Sequence, residues 1–329
     1  MDTDRGSLTV RRARAEDKPA VVEFCSRIWE GWDYLPRVYD RWLEDPRGAF
    51  LVAELNGRPV GTDKITVLSP GEIWLEGLRV DPEARGRGVA RAINSRAMEV
   101  IAGLEPRTVR FGTVADNWAS RHMGEKDGFR LIFECRRMVA GQQGEKTSAE
   151  SAIETSSELT TEPNPEVASQ MTAEPAPGPK DLDAVMSFLG GSENYRRTRG
   201  LYAWGWTFQE MSREFIGRVL ARKGALAIRA GGGIEALALF LPQRHGPRFC
   251  LGFIDGGHEA MIGLGRRFRA VAEQRGAEGM FAMIPEPAMP ALAEAGFVQE
   301  YPIDVVVHEL SGERLKVAIQ RISGSDRIG

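Results

Sequence analysis

The sequence predicts an α+β fold of two tandem domains, each a three-layer unit in which a central mixed, mostly antiparallel sheet is flanked by helices. Three observations predict it: strand signals that give way to an amphipathic helix, the return of the same order in the second half, and a break in composition between the two. The break runs from about Gly141 to Lys180, where Ser, Thr, Glu, Pro and Ala displace aromatic residues. Such a stretch buries too little apolar surface to order itself strongly. The expected organisation is a first domain over 1–140, a linker over 141–180, a second domain over 181–310 and a C-terminal tail over 311–329.

In the first half, Leu8 to Arg12 predicts a short strand, Asp17 caps a helix reaching about Glu30, and a second short helix covers Arg37 to Leu43. Phe50 to Leu55 and Pro59 to Leu68 flank Asn56-Gly57, a strong hairpin signal, and Ile73 to Val80 makes a third strand. Val89, Ala92, Ile93, Ala97, Val100, Ile101 and Leu104 then recur at helical spacing, so a helix from about Gly88 lays one apolar stripe on the sheet. A strand over Thr108 to Thr113, a helix over Asn117 to Lys126 and a strand over Phe129 to Met138 follow. The second half repeats the order: strands over Ala225 to Arg229, Ile234 to Leu241 and Phe249 to Ile254, a helix over His258 to Gln274, a strand over Gly279 to Ile284, a helix and a last strand. Gly296-Phe297 stands where Gly128-Phe129 stands in the first copy, glycine suiting a helix C-terminus, and the repetition reads as an internal duplication, the alternative being two unrelated α+β domains of similar pattern.

Composition narrows the function. A net charge of −3 gives no broad attraction to nucleic acid. The start lacks the basic and apolar regions of a signal peptide, and no apolar run approaches the roughly 20 residues of a membrane helix, so a cytoplasmic protein with no membrane partner is expected. The three cysteines Cys25, Cys135 and Cys250 lie far apart in apolar stretches, which predicts reduced core residues and no metal site.

The stretch from Glu76 to Ala90 holds the chemistry. Gly86 and Gly88 let the backbone approach an anion, the first free N–H groups of the following helix point at it, and the helix dipole adds positive potential. Arg85 and Arg87 supplement this phosphate cradle, although an ordinary strand-to-helix loop also contains glycines and exposed arginines.

Arg85-x-x-Gly88-x-Ala90, after Leu78-Arg79-Val80 and before an amphipathic helix, resembles the Q/R-x-x-G-x-G/A motif of the GNAT superfamily of N-acetyltransferases, and Asn117, followed by a helix and Gly128-Phe129, resembles its second motif. The resemblance covers Leu8 to Met138. It implies acetyl-CoA as co-substrate, with the amides of Arg85, Gly86, Arg87, Gly88, Val89 and Ala90 on the pyrophosphate. Leu78, Arg79 and Val80 would line the pantetheine, with Asn117 as a further contact or only a helix cap. The thioester would lie along the strand, where a backbone N–H stabilises the oxyanion formed on amine attack. In many relatives a tyrosine about seven residues after that asparagine protonates the departing thiolate. Here that position is Gly124, so the proton must come from elsewhere or from water.

An amine must lose its proton to attack, and Glu76, on the same strand beside Gly77, is the first candidate base; Gly77 marks a possible bulge. The alternative is a solvated strand glutamate. Tyr34 stands with Glu76 as a candidate catalytic residue, and Asp33, Tyr34 and Glu76 form the candidate acceptor site, Asp33 by pairing with a cationic amine and Tyr34 by hydrogen bonding or stacking. Trp32 reads as a core residue. Asp33-Tyr34-Leu35-Pro36, Arg41 to Pro46 and Glu76 to Ala90 are together similar to the vertebrate histidine N-acetyltransferase group, and Tyr202 to Trp206 and Glu300-Tyr301 correspond faintly. That likeness implies acetylation of a small amine, such as the free amino acid histidine, by direct attack in a ternary complex, in a monomer or homodimer. A protein N-acetyltransferase, acting on α-amines or lysines, and a non-catalytic acyl-CoA sensor are the alternatives. The second half reads as a degenerate GNAT-like copy: its loop Asp255-Gly256-Gly257-His258-Glu259 has no arginine, Pro285 stands for Asn117, and it is expected to support the first domain or close its pocket, with Trp204 and Trp206 as lining or as helix packing.

Overall fold

The computed structural model describes residues 7–28, 31, 33–141, 176–242, 248–300, 302 and 304–325. The linker expected over 141–180 falls mostly, and Trp32 and Tyr301 wholly, outside them. The chain divides into two units that interleave along the sequence: Met1–Phe133, Thr207–Gln209 and Val305–Gly329 form unit 1, and Glu134–Trp206 and Glu210–Asp304 form unit 2.

Unit 1 contains β1 (Leu8–Arg12), α1 (Lys18–Cys25), α2 (Leu35–Leu43), β2 (Ala49–Leu55), β3 (Arg58–Ser69), β4 (Glu72–Val80), α3 (Val89–Ala102), β5 (Thr108–Val114) and α4 (Trp118–Lys126). The end of the chain adds β14 (Val305–Ser311) and α10 (Gly312–Ser325), a helix in the stretch read as a tail. The sheet order is β1-β2-β3-β4-β5-β14. All neighbours are antiparallel except β4 and β5. Asn56 and Gly57 turn the β2–β3 hairpin with φ of 52° and 79°, the left-handed pair its tight loop needs. Val21, Phe24, Leu35, Val38, Tyr39 and Trp42 pack α1 and α2 on one face with Phe50 and Val52. On the other face Ala97, Met98 and Ile101 of α3 meet Ile65, Ile73, Val109 and Leu315. Three layers result, the sheet in the middle.

Unit 2 takes residues 134–140 of β6 (Arg130–Ala140), then α5 (Leu182–Gly191), α6 (Glu193–Arg197), β7 (Leu201–Trp204), α7 (Arg213–Ala221), β9 (Ala225–Ala230), β10 (Gly233–Pro242), β11 (Arg248–Asp255), α8 (His258–Gln274), β12 (Gly279–Ile284), α9 (Met289–Glu294) and β13 (Val298–Gln299). Of β8 (Thr207–Glu210), residues 207–209 belong to unit 1, where Phe208 meets Trp74 and Phe133 at 5.8 and 5.3 Å. The unit 2 sheet runs β9-β10-β11-β12-β6, with β11 and β12 parallel and the other neighbours antiparallel. Both units thus hold a hairpin, one parallel pair and an outer antiparallel strand. In each, that outer strand comes from the other half of the sequence: β14 on β5, and β6 on β12. Among the described residues no helix is long and apolar enough to cross a membrane.

Candidate active site

The turn from β4 to α3 has the backbone its glycines predict. Asp81 accepts from the Glu83 N–H at 3.1 Å and is clamped by Arg27 at 3.1 Å, which fixes the entry to the turn. Gly86 and Gly88 sit at φ of 77° and 84°, a region that L side chains rarely adopt, and a Cβ added to either meets nothing within 4 Å. The space over the turn is open. The first intrahelical bond here is Ala92 N–H to Gly88 carbonyl at 3.0 Å, so the amides of Val89, Ala90 and Arg91 precede the helical ladder. Arg85 and Arg87 are exposed and, among the described residues, make no ion pair.

One strand edge is open beside this cradle. The parallel β4–β5 ladder runs from Glu72↔Thr108 to Leu75↔Phe111 and stops, although β4 continues to Val80 and β5 to Val114. The main chain of 76–80 is therefore paired on its β3 side only. On that side the register steps from Thr62↔Arg79 to Lys64↔Glu76, so Asp63 alone faces Gly77 and Leu78. This is the bulge that Gly77 suggested, and Gly77 takes φ of 73° in it.

The bulge decides which layer each side chain faces. Leu78 and Val80 join the cluster of Val89 and Ile93 beneath α3. Glu76, Gly77 and Arg79 face the α1–α2 layer: a Cβ on Gly77 would meet the Trp42 ring at 2.5 Å, Thr66 Oγ1 donates to Glu76 Oε1 at 2.6 Å, and Arg79 reaches Asp33. Arg79 Nε donates to Asp33 Oδ2 at 2.5 Å, its Nη2 to Oδ1 at 3.3 Å, and the Leu35 N–H also donates to Oδ1 at 3.0 Å. Both Asp33 oxygens are thus engaged inside the protein, one of them capping α2. The Arg79 guanidinium lies 5.6 Å from the Tyr34 ring centroid. Tyr34 is half-buried and edge-on to Trp42 at 5.9 Å. Burial, and then the Glu76 charge, push its phenol above its ordinary value. The structure therefore brings together Asp33, Tyr34 and Glu76 as the sequence expected, on the face opposite Leu78 and Val80.

On the α3–α4 layer, Asn117 caps α4 by accepting from the Ser120 N–H at 3.3 Å and donates to Thr113 Oγ1 at 2.9 Å. Gly124 is buried, and a Cβ there would lie 2.6 Å from the Phe111 ring. Phe111 fills the place a tyrosine would need. In unit 2 the corresponding turn carries its own acid: Asp255 accepts from Ser192 Oγ, from the Asn194 N–H at 3.1 Å and from the Gly256 N–H at 2.8 Å. Trp204 Nε1 donates to the Pro242 carbonyl at 2.7 Å, and Trp206 is partly exposed.

Sequence reasoning passed over the β3 residues that shape the site. Thr62 donates from Oγ1 to the Gly77 carbonyl at 2.9 Å, and buried Lys64 donates to Asp45 at 2.6 Å and the Ile65 carbonyl at 2.8 Å. Thr62, Lys64 and Thr66 alternate with Gly61, Asp63, Ile65 and Val67, so their common face was available from period two. Asp63, on the opposite face, is buried, and burial holds its carboxyl well above the usual range against the pull of the Lys64 backbone N–H.

Residues 18–129 match the acetyltransferase (GNAT) family. Over that segment the chain is similar to the GNAT acetyltransferases. Among individual proteins, a histidine N-acetyltransferase of Oreochromis niloticus is 30% identical over 40% of this chain and 36% of its own length. That of Scomber australasicus is 33% identical over 36% of this chain and 35% of its own. The chain thus spans about a third of the length of these relatives. The crystal structure of a GCN5-related N-acetyltransferase from Sphaerobacter thermophilus aligns with 93% of this chain and 96% of its own at a TM-score of 0.58 and 15% identity, so its fold is shared across both halves.

Proposed function

We propose that this protein is an N-acetyltransferase whose unit 1 moves acetyl from acetyl-CoA to the amine of a small molecule, a free amino acid such as histidine. The observation that carries the reading is the parting of β4 from β5 beyond Leu75↔Phe111, between an open anion cradle on one layer and Glu76 on the other. Acetyl-CoA supplies an activated thioester. The chain holds its pyrophosphate on the amides and side chains of Arg85 to Ala90, and its pantetheine along the main chain of Leu78 to Val80 with Asn117 beside it. Tyr34 and Glu76 hold the acceptor, and the histidine N-acetyltransferase relatives support an amino acid there.

An α-amine with a pKa of about 8 is mostly protonated at neutral pH. Glu76 takes its proton, held in place by Thr66, and the neutral amine attacks the carbonyl while a β4 amide carries the developing oxyanion. With Gly124 in the tyrosine position, water protonates the leaving thiolate, which a thiol pKa of about 8.5 permits.

The test is release of free CoA thiol against a panel of free amino acids and amines. Glu76→Gln is expected to lower kcat by about 10² to 10⁴-fold while CoA still binds. Binding without turnover by the native chain on any small amine would replace this reading with a protein substrate or with an acyl-CoA sensor.

A further inference from the structure

We infer that the Thr62 hydroxyl is the positioning group that aims the oxyanion donor, the Leu78 N–H, at the thioester; this rests on the reading above. Thr62 is wholly buried, and its Oγ1 donates to the Gly77 carbonyl at 2.9 Å. The Gly77–Leu78 peptide is trans, as are the peptides of the described residues, so the Leu78 N–H points opposite to that carbonyl. The carbonyl is drawn toward β3. The N–H is therefore turned to the other edge of β4, where β5 has ceased to pair.

Two features show that this peptide plane is set by side chains and not by the ladder. The register skips from Thr62↔Arg79 to Lys64↔Glu76, so regular pairing does not fix residues 77 and 78. Gly77 stands at φ of 73° with the Trp42 ring where a Cβ would be, a conformation open to rotation unless its carbonyl is tied. Thr62 ties it. Loss of the hydroxyl leaves a buried carbonyl without that partner and frees the plane to turn, which moves the Leu78 donor off line. Oxyanion donors act only when held in advance where charge develops, so the cost falls on the transition state and not on cofactor binding.

The experiment compares Thr62→Val, which keeps the branched shape, with Thr62→Ser, which keeps the hydroxyl. Thr62→Val is expected to lower kcat about tenfold or more, short of the roughly 10²–10³-fold loss on deleting an oxyanion donor. KM for acetyl-CoA and Kd for CoA stay near the native values, and Thr62→Ser restores kcat. The infrared carbonyl band of bound acetyl-CoA labelled with carbon-13 at the carbonyl provides a readout that needs no turnover. It is shifted to lower frequency in the native chain and in Thr62→Ser, and the shift is lost in Thr62→Val. Native turnover with an unchanged kcat and band in Thr62→Val overturns the inference and leaves the function standing. If no amine is acetylated the function falls, and the band alone decides the role of Thr62. Equal losses in both variants, tracking a lowered Tm, reduce Thr62 to a packing residue and also overturn it.

Discussion

Asp33 shows how a residue with the right chemistry for a substrate is placed by its partners. Its side chain is 1% exposed and that of Arg79 17%. A buried ion pair loses roughly 3–5 kcal/mol when one partner is removed, because the other charge is left uncompensated. Asp33→Ala is therefore expected to lower stability by about that amount in urea unfolding at pH 7; a residue that only binds substrate would raise KM for the amine and leave the unfolding midpoint unchanged. His308 makes the opposite case. Its ring stacks on Phe111 at 4.9 Å and 4°, fully buried, with neither nitrogen hydrogen-bonded within the described structure. Burial, then Arg121, hold it below the ordinary histidine value against the pull of Glu125. A base depressed in the folded state binds protons more readily when unfolded, so its contribution is fully present above the unfolded pKa of about 6.5 and is lost as pH falls from there through the folded pKa. His308→Phe keeps the stack and removes that proton. Urea unfolding between pH 7.5 and pH 5, as test conditions, is expected to show a shallower fall in stability for the variant than for the native chain, by at most about 1.4 kcal/mol per pH unit.

At the scale of elements, the sequence was most legible where one local rule governs. Asn56-Gly57 gave the β2–β3 hairpin, the stripe from Val89 to Ile101 gave α3, and Gly86 and Gly88 gave the left-handed turn before it, since each follows from backbone freedom or helical period alone. Within 182–221 only Tyr202 to Trp206 was singled out and no element was assigned, although the segment holds α5, α6 and α7. Two of these are short, and Gly190, Gly191 and Gly200 interrupt the period on which such readings depend. β4 lies between the two cases. Glycine at 77 signalled a bulge, but the layer that Glu76 faces depends on which β3 residue it meets, and one extra residue reverses the parity of everything beyond. Only the pairing with Lys64 sets Glu76 and Arg79, three apart, on one face. The same dependence hid Thr62, whose role exists only through a carbonyl on the neighbouring strand.

The whole molecule exchanges its last strands, a property no local signal carries. β14 completes the unit 1 sheet from almost 200 residues away, and Arg110 of β5 records it: Nη1 donates to Glu72 on β4 at 2.9 Å and Nε to Glu309 on β14 at 2.6 Å. Leu310 of β14 and Leu315 of α10 are buried in the same cluster as Ala97, Val109 and Phe129. A chain ending at Asp304 therefore strips unit 1 of a strand, a helix and part of its core, and leaves β5 as a bare edge of the kind that pairs with other chains. Unit 2, with 134–140 on β12, keeps its sheet. The truncated chain is expected to lose the cooperative unfolding of unit 1 and to precipitate or expose apolar surface to a hydrophobic dye, whereas unit 2 amides remain protected in hydrogen exchange. Cutting after Ser311 instead retains β14 and uncovers mainly Leu315, so a milder loss of stability is expected. If the chain ending at Asp304 unfolds as cooperatively as the full one, β14 is an accessory to unit 1 and the exchange carries no weight in its stability. If both units collapse together, the exchanged strands make the two halves one folding unit, consistent with the slow closure that contacts between strands so distant in sequence impose.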